Sequence, residues 1–276
     1  MNHFEGKVAA ITGAASGIGR ALAVNLSRRG CALALSDVDA AGLAETEALC
    51  QNQSVLVTRD VVDVASRPAM YEWADSVVQT HGRANLIFNN AGVALGSTVE
   101  AMSWEDMDWL MDINFWGVVH GTKAFLPHLV RSGDGHVVNV SSVFGLISVP
   151  TQSAYNAAKF GVRGFTDALY MELKVAKHPV SATTVHPGGI RTNIVKNARL
   201  DESVGVAADR ELTHGRFQAI SMTSPDKAAT TILRAVRRRR RRITVGPDAK
   251  AIDLLSRLPS PLYQQALVMG ARRELG

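Results

Sequence analysis

Tyr155 and Lys159 stand four residues apart in SAYNAAKFG, an alanine-rich stretch that reads as helix. At that spacing the two side chains share one helix face, a turn apart. A free tyrosine has a pKa of about 10 and is almost never a base at neutral pH. The pair is therefore either an exposed contact or a device for making a phenol ionise early. An ammonium about 5 Å away, at an effective dielectric near 20, would favour the phenolate by roughly 3 kcal/mol, or about two pKa units. That shift would move the phenol toward the range of a general base. Burial opposes it, so the lysine must sit close.

The elements that position such a pair alternate along the chain. Short apolar, β-branched runs at residues 7–11, 31–36, 54–58, 86–88, 136–140, 181–185 and 242–245 predict seven strands. Helical patterns separate them: one carrying Ile18, Leu22 and Leu26 on one face, others over about 40–51 and 64–81, a long one after the N-cap candidate Ser103, and the one holding Tyr155. This alternation predicts an α/β fold, a Rossmann-like doubly wound parallel sheet with helices on both faces, in a single domain. Residues 1–246 would form the dinucleotide-binding and catalytic part, with a substrate lid over about 189–224. Residues 247–276 would be a tail of two short helices broken at Pro259 and Pro261.

In an open parallel sheet, ligands bind beyond the carboxyl ends of the strands. After the first strand comes Gly13-Ala14-Ala15-Ser16-Gly17-Ile18-Gly19, a tight turn into a helix N-terminus suited to phosphate oxygens. Asp37 follows the second strand, where a carboxylate accepts from ribose hydroxyls and repels a 2′-phosphate. Arg20 and Arg59 are the nearest cations that could welcome such a phosphate. NAD is therefore expected rather than NADP. Asp60 and Val61 follow the third strand and could meet an adenine amino group. Asn89, Asn90, Ala91 and Gly92 follow the fourth, Ser141 and Ser142 the fifth, and Pro187, Gly188, Gly189, Ile190, Arg191 and Thr192 the sixth. Each alone is ordinary loop chemistry; together at one sheet edge they make a site. Asn114 lies inside the long helix, where asparagine is either a tolerated polar residue or one whose side chain is used.

These motifs in combination resemble the classical short-chain dehydrogenase/reductase family, from about Gly6 to Val245. The resemblance rests on Thr12-Gly13-x-x-x-Gly17-x-Gly19, Asn89-Asn90-Ala91-Gly92, Asn114, Ser142, Tyr155-x-x-x-Lys159 and Pro187-Gly188. The thirteen-residue step from Ser142 to Tyr155 is the family's, and it separates Ser142 from Ser141. It implies a nicotinamide cofactor across the carboxyl edge and hydride transfer at a carbinol or carbonyl carbon. Tyr155 would then be the general acid/base, Ser142 the donor to the substrate oxygen, and Lys159 the group that lowers the phenol and holds the ribose. Asn114 would help hold a water between the lysine and solvent. Family members are dimers or tetramers, which implies a homo-oligomer packed through the helices after Ser103 and Ser153.

A pocket lined by Val143, Phe144, Leu146, Gln152 and the stretch from Gly189 to about Met222 is largely apolar, so a hydrophobic alcohol or ketone is the expected substrate. An NADPH-dependent reductase of acyl-thioester or lipid carbonyls is the alternative that Asp37 opposes. The net charge of +5 raises a third reading, a nucleotide sensor or nucleic-acid binder. Six of the basic residues lie in the run 237–242, however, and no nucleic-acid module accompanies them. That run reads as the solvated end of a helix beginning after Ser224. Cys31 and Cys50 offer neither a disulfide framework nor metal spacing, and His120, His128 and His186 have no metal-ligand partners; no metal is expected. The absence of a leader or an apolar run long enough to span a bilayer points to the cytoplasm.

Overall fold

The chain was analysed as a computed structural model, which describes residues 3–50, 55–204, 215, 219 and 221–275. Its main sheet contains β1 (Val8–Thr12), β2 (Ala32–Asp37), β3 (Val57–Val61), β4 (Leu86–Asn89), β6 (Gly135–Val140), β7 (Val180–Pro187) and β9 (Arg242–Val245). They are all parallel, in the order β3-β2-β1-β4-β6-β7-β9. The order reverses between β1 and β4, which opens a crevice at their carboxyl ends. β1, β4, β6 and β7 are buried along their whole length, as strands covered on both faces must be.

One face packs under α1 (Gly17–Ser27) and α7 (Pro225–Arg237), through Ile11, Leu22, Leu26, Leu35, Ile232 and Val236. The other packs under α3 (Arg67–His81), α5 (Gly117–Arg131) and α6 (Ser153–Val175), through Met70, Trp73, Ile87, Phe125, Leu129 and Leu169. Between β2 and β3 lies α2 (Ala40–Leu49). The doubly wound, single-domain architecture read from the alternation is the one found.

The third strand lies three residues later than its apolar start suggests. Its register is set by β2, with Leu33 opposite Val57 and Asp37 opposite Val61. β3 is an edge strand, so it tolerates Arg59 and Asp60 and carries no clean apolar pattern. Ser54 and Gln51, also assigned to elements from the sequence, lie outside the described residues. Two further short strands, β5 (Leu95–Gly96) and β8 (Arg199–Leu200), pair with each other and tie the loop after β4 to the segment that follows β7.

The helix after Ser103 is three pieces rather than one. Ser103 does cap α4 (Trp104–Met111), accepting from the Asp106 N–H at 3.1 Å while its hydroxyl donates to the Asp106 carboxylate. A π-turn over Asp112–Trp116 then precedes α5.

The basic run is not a helix end. Only Arg237 belongs to α7; residues 238–241 turn, with Arg239 in the left-handed region, and Arg242 opens β9. The tail also differs. It holds α8 (Pro247–Leu255) and α9 (Ser260–Leu275), and α9 is sixteen residues long. Pro261 sits in its first turn, where a missing N–H costs nothing, instead of breaking it. Among the described residues no helix is long and apolar enough to cross a membrane, and no cluster of metal-ligating side chains occurs.

Candidate active site

Tyr155 and Lys159 project from the start of α6 toward the carboxyl ends of β4 and β6. The Lys159 ammonium lies 5.5 Å from the centroid of the Tyr155 ring. It donates to the Val140 carbonyl at 3.1 Å, at the very end of β6. Lys159 is almost wholly buried, and burial lowers its pKa to about 8. Tyr155 is partly buried, and burial pushes its phenol above the usual value. A hydrogen bond with the Ser142 hydroxyl pulls the other way. Among the protein's own groups, burial is the larger influence on the phenol and the Ser142 hydrogen bond the smaller. The Lys159 ammonium stands beside the ring, where a positive charge favours the phenolate.

Ser141 and Ser142 are held in different ways. Ser141 donates its hydroxyl to the Lys159 carbonyl at 2.8 Å and faces the helix. Ser142 continues β6 in extended backbone, and its oxygen accepts from the Phe144 N–H at 3.1 Å. Its carbonyl is held at 2.8 Å by Nδ1 of His186 on β7, which must carry the proton because a carbonyl only accepts. Burial lowers His186 to about 4, so the ring is neutral and structural.

Asn114 occupies the centre of the π-turn, fully buried. Its side chain donates to the Val93 carbonyl at 2.9 Å and accepts from the Val93 N–H at 2.8 Å. A side chain at Gly92 would stand 3.1 Å from Asn114 Oδ1 and 3.5 Å from Lys159 Nζ. Asn114, Gly92, Lys159, Tyr155 and Ser142 thus form one continuous group. The wide turn aims the asparagine inward, a common use of π-turns.

The glycine loop meets this group from the other side. Gly13 and Gly17 have positive φ. A Cβ on Gly13 would lie 2.8 Å from Ala91 Cα, and one on Gly19 would collide with the Gly13 carbonyl. Ser16 caps α1 in extended conformation without using its side chain, and Ile18 follows in the first turn. One Asp37 carboxylate oxygen accepts from the Ala15 N–H at 3.0 Å and the other from Asp39 at 3.1 Å.

Asn90, expected to meet the cofactor, uses its side chain to shape the glycine loop. Its side chain donates to the Thr12 and Gly13 carbonyls at 3.0 and 3.1 Å, stitching β4 to the loop. Thr12, the first residue of the glycine motif, accepts through its hydroxyl from both the Asn90 and Ala91 N–H groups. Asp60 lies within β3 and accepts from the Trp73 indole at 3.2 Å, while Val61 ends the strand exposed.

Phe144 meets the Tyr155 ring edge-on at 6.2 Å. Leu146 is buried after the short helix at Val143–Gly145. Gln152 bridges to Ser97 beside the β5–β8 pair. Pro187 ends β7, Gly188 and Gly189 turn there, Ile190 pairs with Thr223, and Thr192 reaches Gly17. Most of the lid between 205 and 220 lies outside the described residues.

A helix N-terminus whose capping side chain is unused, a glycine cradle and a carboxylate at the next strand end fit a nicotinamide dinucleotide. A short chain dehydrogenase model matches residues 7–203, and the chain belongs to that oxidoreductase family. A Mycobacterium tuberculosis protein bearing the name "Putative oxidoreductase SadH" is 50% identical over 275 residues, covering 99% of this chain and 98% of that one. A Burkholderia phymatum short-chain dehydrogenase/reductase crystallised with NAD is 30% identical, with a TM-score of 0.87 over 96% of this chain and 97% of its own. An alcohol dehydrogenase from Thermococcus sibiricus complexed with 5-hydroxy-NADP is 25% identical, with a TM-score of 0.72 over 86% of this chain and 95% of its own.

Proposed function

We propose that the protein interconverts hydrophobic secondary alcohols and ketones with NAD(H), using Tyr155 as the proton carrier. The reading is carried by the convergence of Ser142, Tyr155, Lys159 and Asn114 on one edge of the sheet, beside the glycine loop. When bound, the dinucleotide supplies or accepts the hydride. Gly13, Ser16, Gly17, Ile18 and Gly19 would hold its phosphates, Asp37 a ribose, and Asp60 and Val61 the adenine. Ala91 and Gly92, with residues 187–192, would line the remainder, and Asn90 keeps that wall in place. Ser142 orients the substrate oxygen by a hydrogen bond. Tyr155 donates its proton to a carbonyl oxygen in reduction and takes it back in oxidation. Lys159 stabilises the phenolate left behind, and Asn114 keeps the turn around Lys159 open.

NAD is favoured over NADP by what the nearby cations are doing. Arg20 pairs with Glu45 at 2.7 Å and also binds the Thr46 hydroxyl, while Arg59 pairs with Glu47 at 2.7 Å. Neither is left to receive a 2′-phosphate, and the Asp37 charge repels one. Phe144 and Leu146 support an apolar substrate, with Gln152 and Gly189 at its margins. Exposed Trp116, Phe160, Met171 and Val175 support packing of a second copy through the π-turn after Ser103 and α6, in a soluble cytoplasmic enzyme. The test is a panel of aliphatic, cyclic, aromatic and steroid alcohols and ketones assayed with each cofactor. Higher kcat/KM with NAD(H) on apolar secondary alcohols or ketones is expected. A preference for NADPH with acyl thioesters would overturn the reading in favour of the alternative.

A further inference from the structure

Three glycines clear space for one carboxylate that the mechanism does not use. Asp248 lies in the first turn of α8, in the tail beyond the family match. A side chain on Gly188 or Gly246 would collide with its carboxylate, and one on Gly189 would stand 3.6 Å from it. One Asp248 oxygen accepts from the Gly189 N–H at 2.6 Å, a short charge-assisted bond. Its other oxygen, the Ser221 hydroxyl and the Thr223 hydroxyl are buried around the same turn, without hydrogen-bond partners among the described residues. Thr223 also accepts the Arg191 N–H at 3.0 Å through its carbonyl and bridges to Ile190.

The held segment is placed to matter. It leaves β7 after Pro187, whose neighbour His186 grips the Ser142 carbonyl through its ring. Four residues beyond Gly188, the methyl of Thr192 comes within 3.1 Å of where a Gly17 side chain would begin. Residues 188–192 thus form a strap from the reacting end of the cleft to the glycine loop. We propose that Asp248 is a positioning residue that fixes this strap and thereby sets the affinity for the dinucleotide. The inference rests on the NAD(H) reading above. It makes the tail part of the cofactor site.

The full-length protein is compared with Asp248→Ala, Asp248→Asn, Gly188→Ala and Gly188→Ala/Asp248→Ala. NADH affinity is read by fluorescence titration, the exchange of the amides at 189–192 without dinucleotide, and kcat at saturating NADH. Asp248→Ala is expected to weaken NADH binding about tenfold or more and to speed exchange at Gly189, with kcat changed much less. Asp248→Asn keeps an acceptor oxygen and recovers part of both effects; it also decides the matter should the alanine variant fold poorly. Gly188→Ala alone drives a methyl into the carboxylate and weakens binding, and adding Asp248→Ala restores part of the loss. NADH affinity within twofold of wild type in Asp248→Ala, with unchanged exchange, overturns the role of Asp248. A wild type that binds no NADH overturns the underlying reading instead, and the proposal with it.

Discussion

In the wall formed by β6, the π-turn and α6, every candidate for chemistry is tied to another element. Asn114 holds both backbone groups of Val93, Lys159 holds the end of β6, and Ser142 is gripped from behind by His186. Across the cleft, residues 188–192 are held by the Gly188 N–H on the Val245 carbonyl, the Gly189 N–H on Asp248 and the Arg191 N–H on the Thr223 carbonyl. The first side is over-determined through its side chains, because each buried polar group left unmatched would cost about 1–3 kcal/mol. The second is held chiefly through its backbone, with Asp248 as the side chain that reaches it. Proton chemistry needs fixed distances, whereas admission and release need a segment that opens.

The sharpest way to break this contrast is at its centre. Tyr155→Phe keeps the ring against Phe144 but removes the proton; kcat should fall by about 10²–10⁴, with NADH affinity nearly intact. Full turnover by that variant would remove Tyr155 from the chemistry. Next in size, Asn114→Ala strands the N–H and C=O of Val93 and should cost about 2–4 kcal/mol of stability, seen as a Tm several degrees lower. If the Tm holds, the wall is not over-determined.

Asp37→Ala should narrow the preference for NADH over NADPH about tenfold in kcat/KM; an unchanged ratio would place the ribose elsewhere. A smaller effect isolates Lys159, whose folded pKa of about 8 lies below its ordinary 10.5. The unfolded chain therefore binds that proton more tightly, and the lysine's contribution to stability rises with pH across this window. Relative to Lys159→Met, the wild type should gain about 1–2 kcal/mol in urea unfolding from pH ~8 to ~9.5. Taking the difference cancels Cys31 and Cys50, whose raised pKa values act oppositely above pH ~9. A flat difference would mean the ammonium is not desolvated. Smallest of all, replacing Arg238, Arg240 and Arg241 by serine should change turnover less than twofold and stability by at most about 0.5 kcal/mol. Loss of biological activity from that change, but not from Tyr155→Phe, would favour the nucleic-acid reading.

Some of this was legible in residue order because the controlling interactions are local. The spacing of Tyr155 and Lys159 on one helix, the cap at Ser103 and the glycine turn into α1 each depend on neighbours a few residues away. β3 was misplaced because an edge strand is located by its partner's register, not by its own apolarity. The bounds of the π-turn have no local signature, because its anchor, Val93, lies 21 residues from Asn114. Asp248 reaches Gly189 across 59 residues, and nothing in its surroundings along the chain announces that.

Residue order alone determined that strands and helices alternate, which side chains share a helix face, and what falls at the carboxyl end of each central strand. Periodicity and turn chemistry act over a few residues and need no tertiary information. Only the folded molecule decided how each of the two serines is held, that burial raises the Tyr155 phenol, and that a tail carboxylate grips the Gly189 backbone. Those outcomes depend on desolvation and on contacts between distant segments, which exist only once the sheet has brought its edges together.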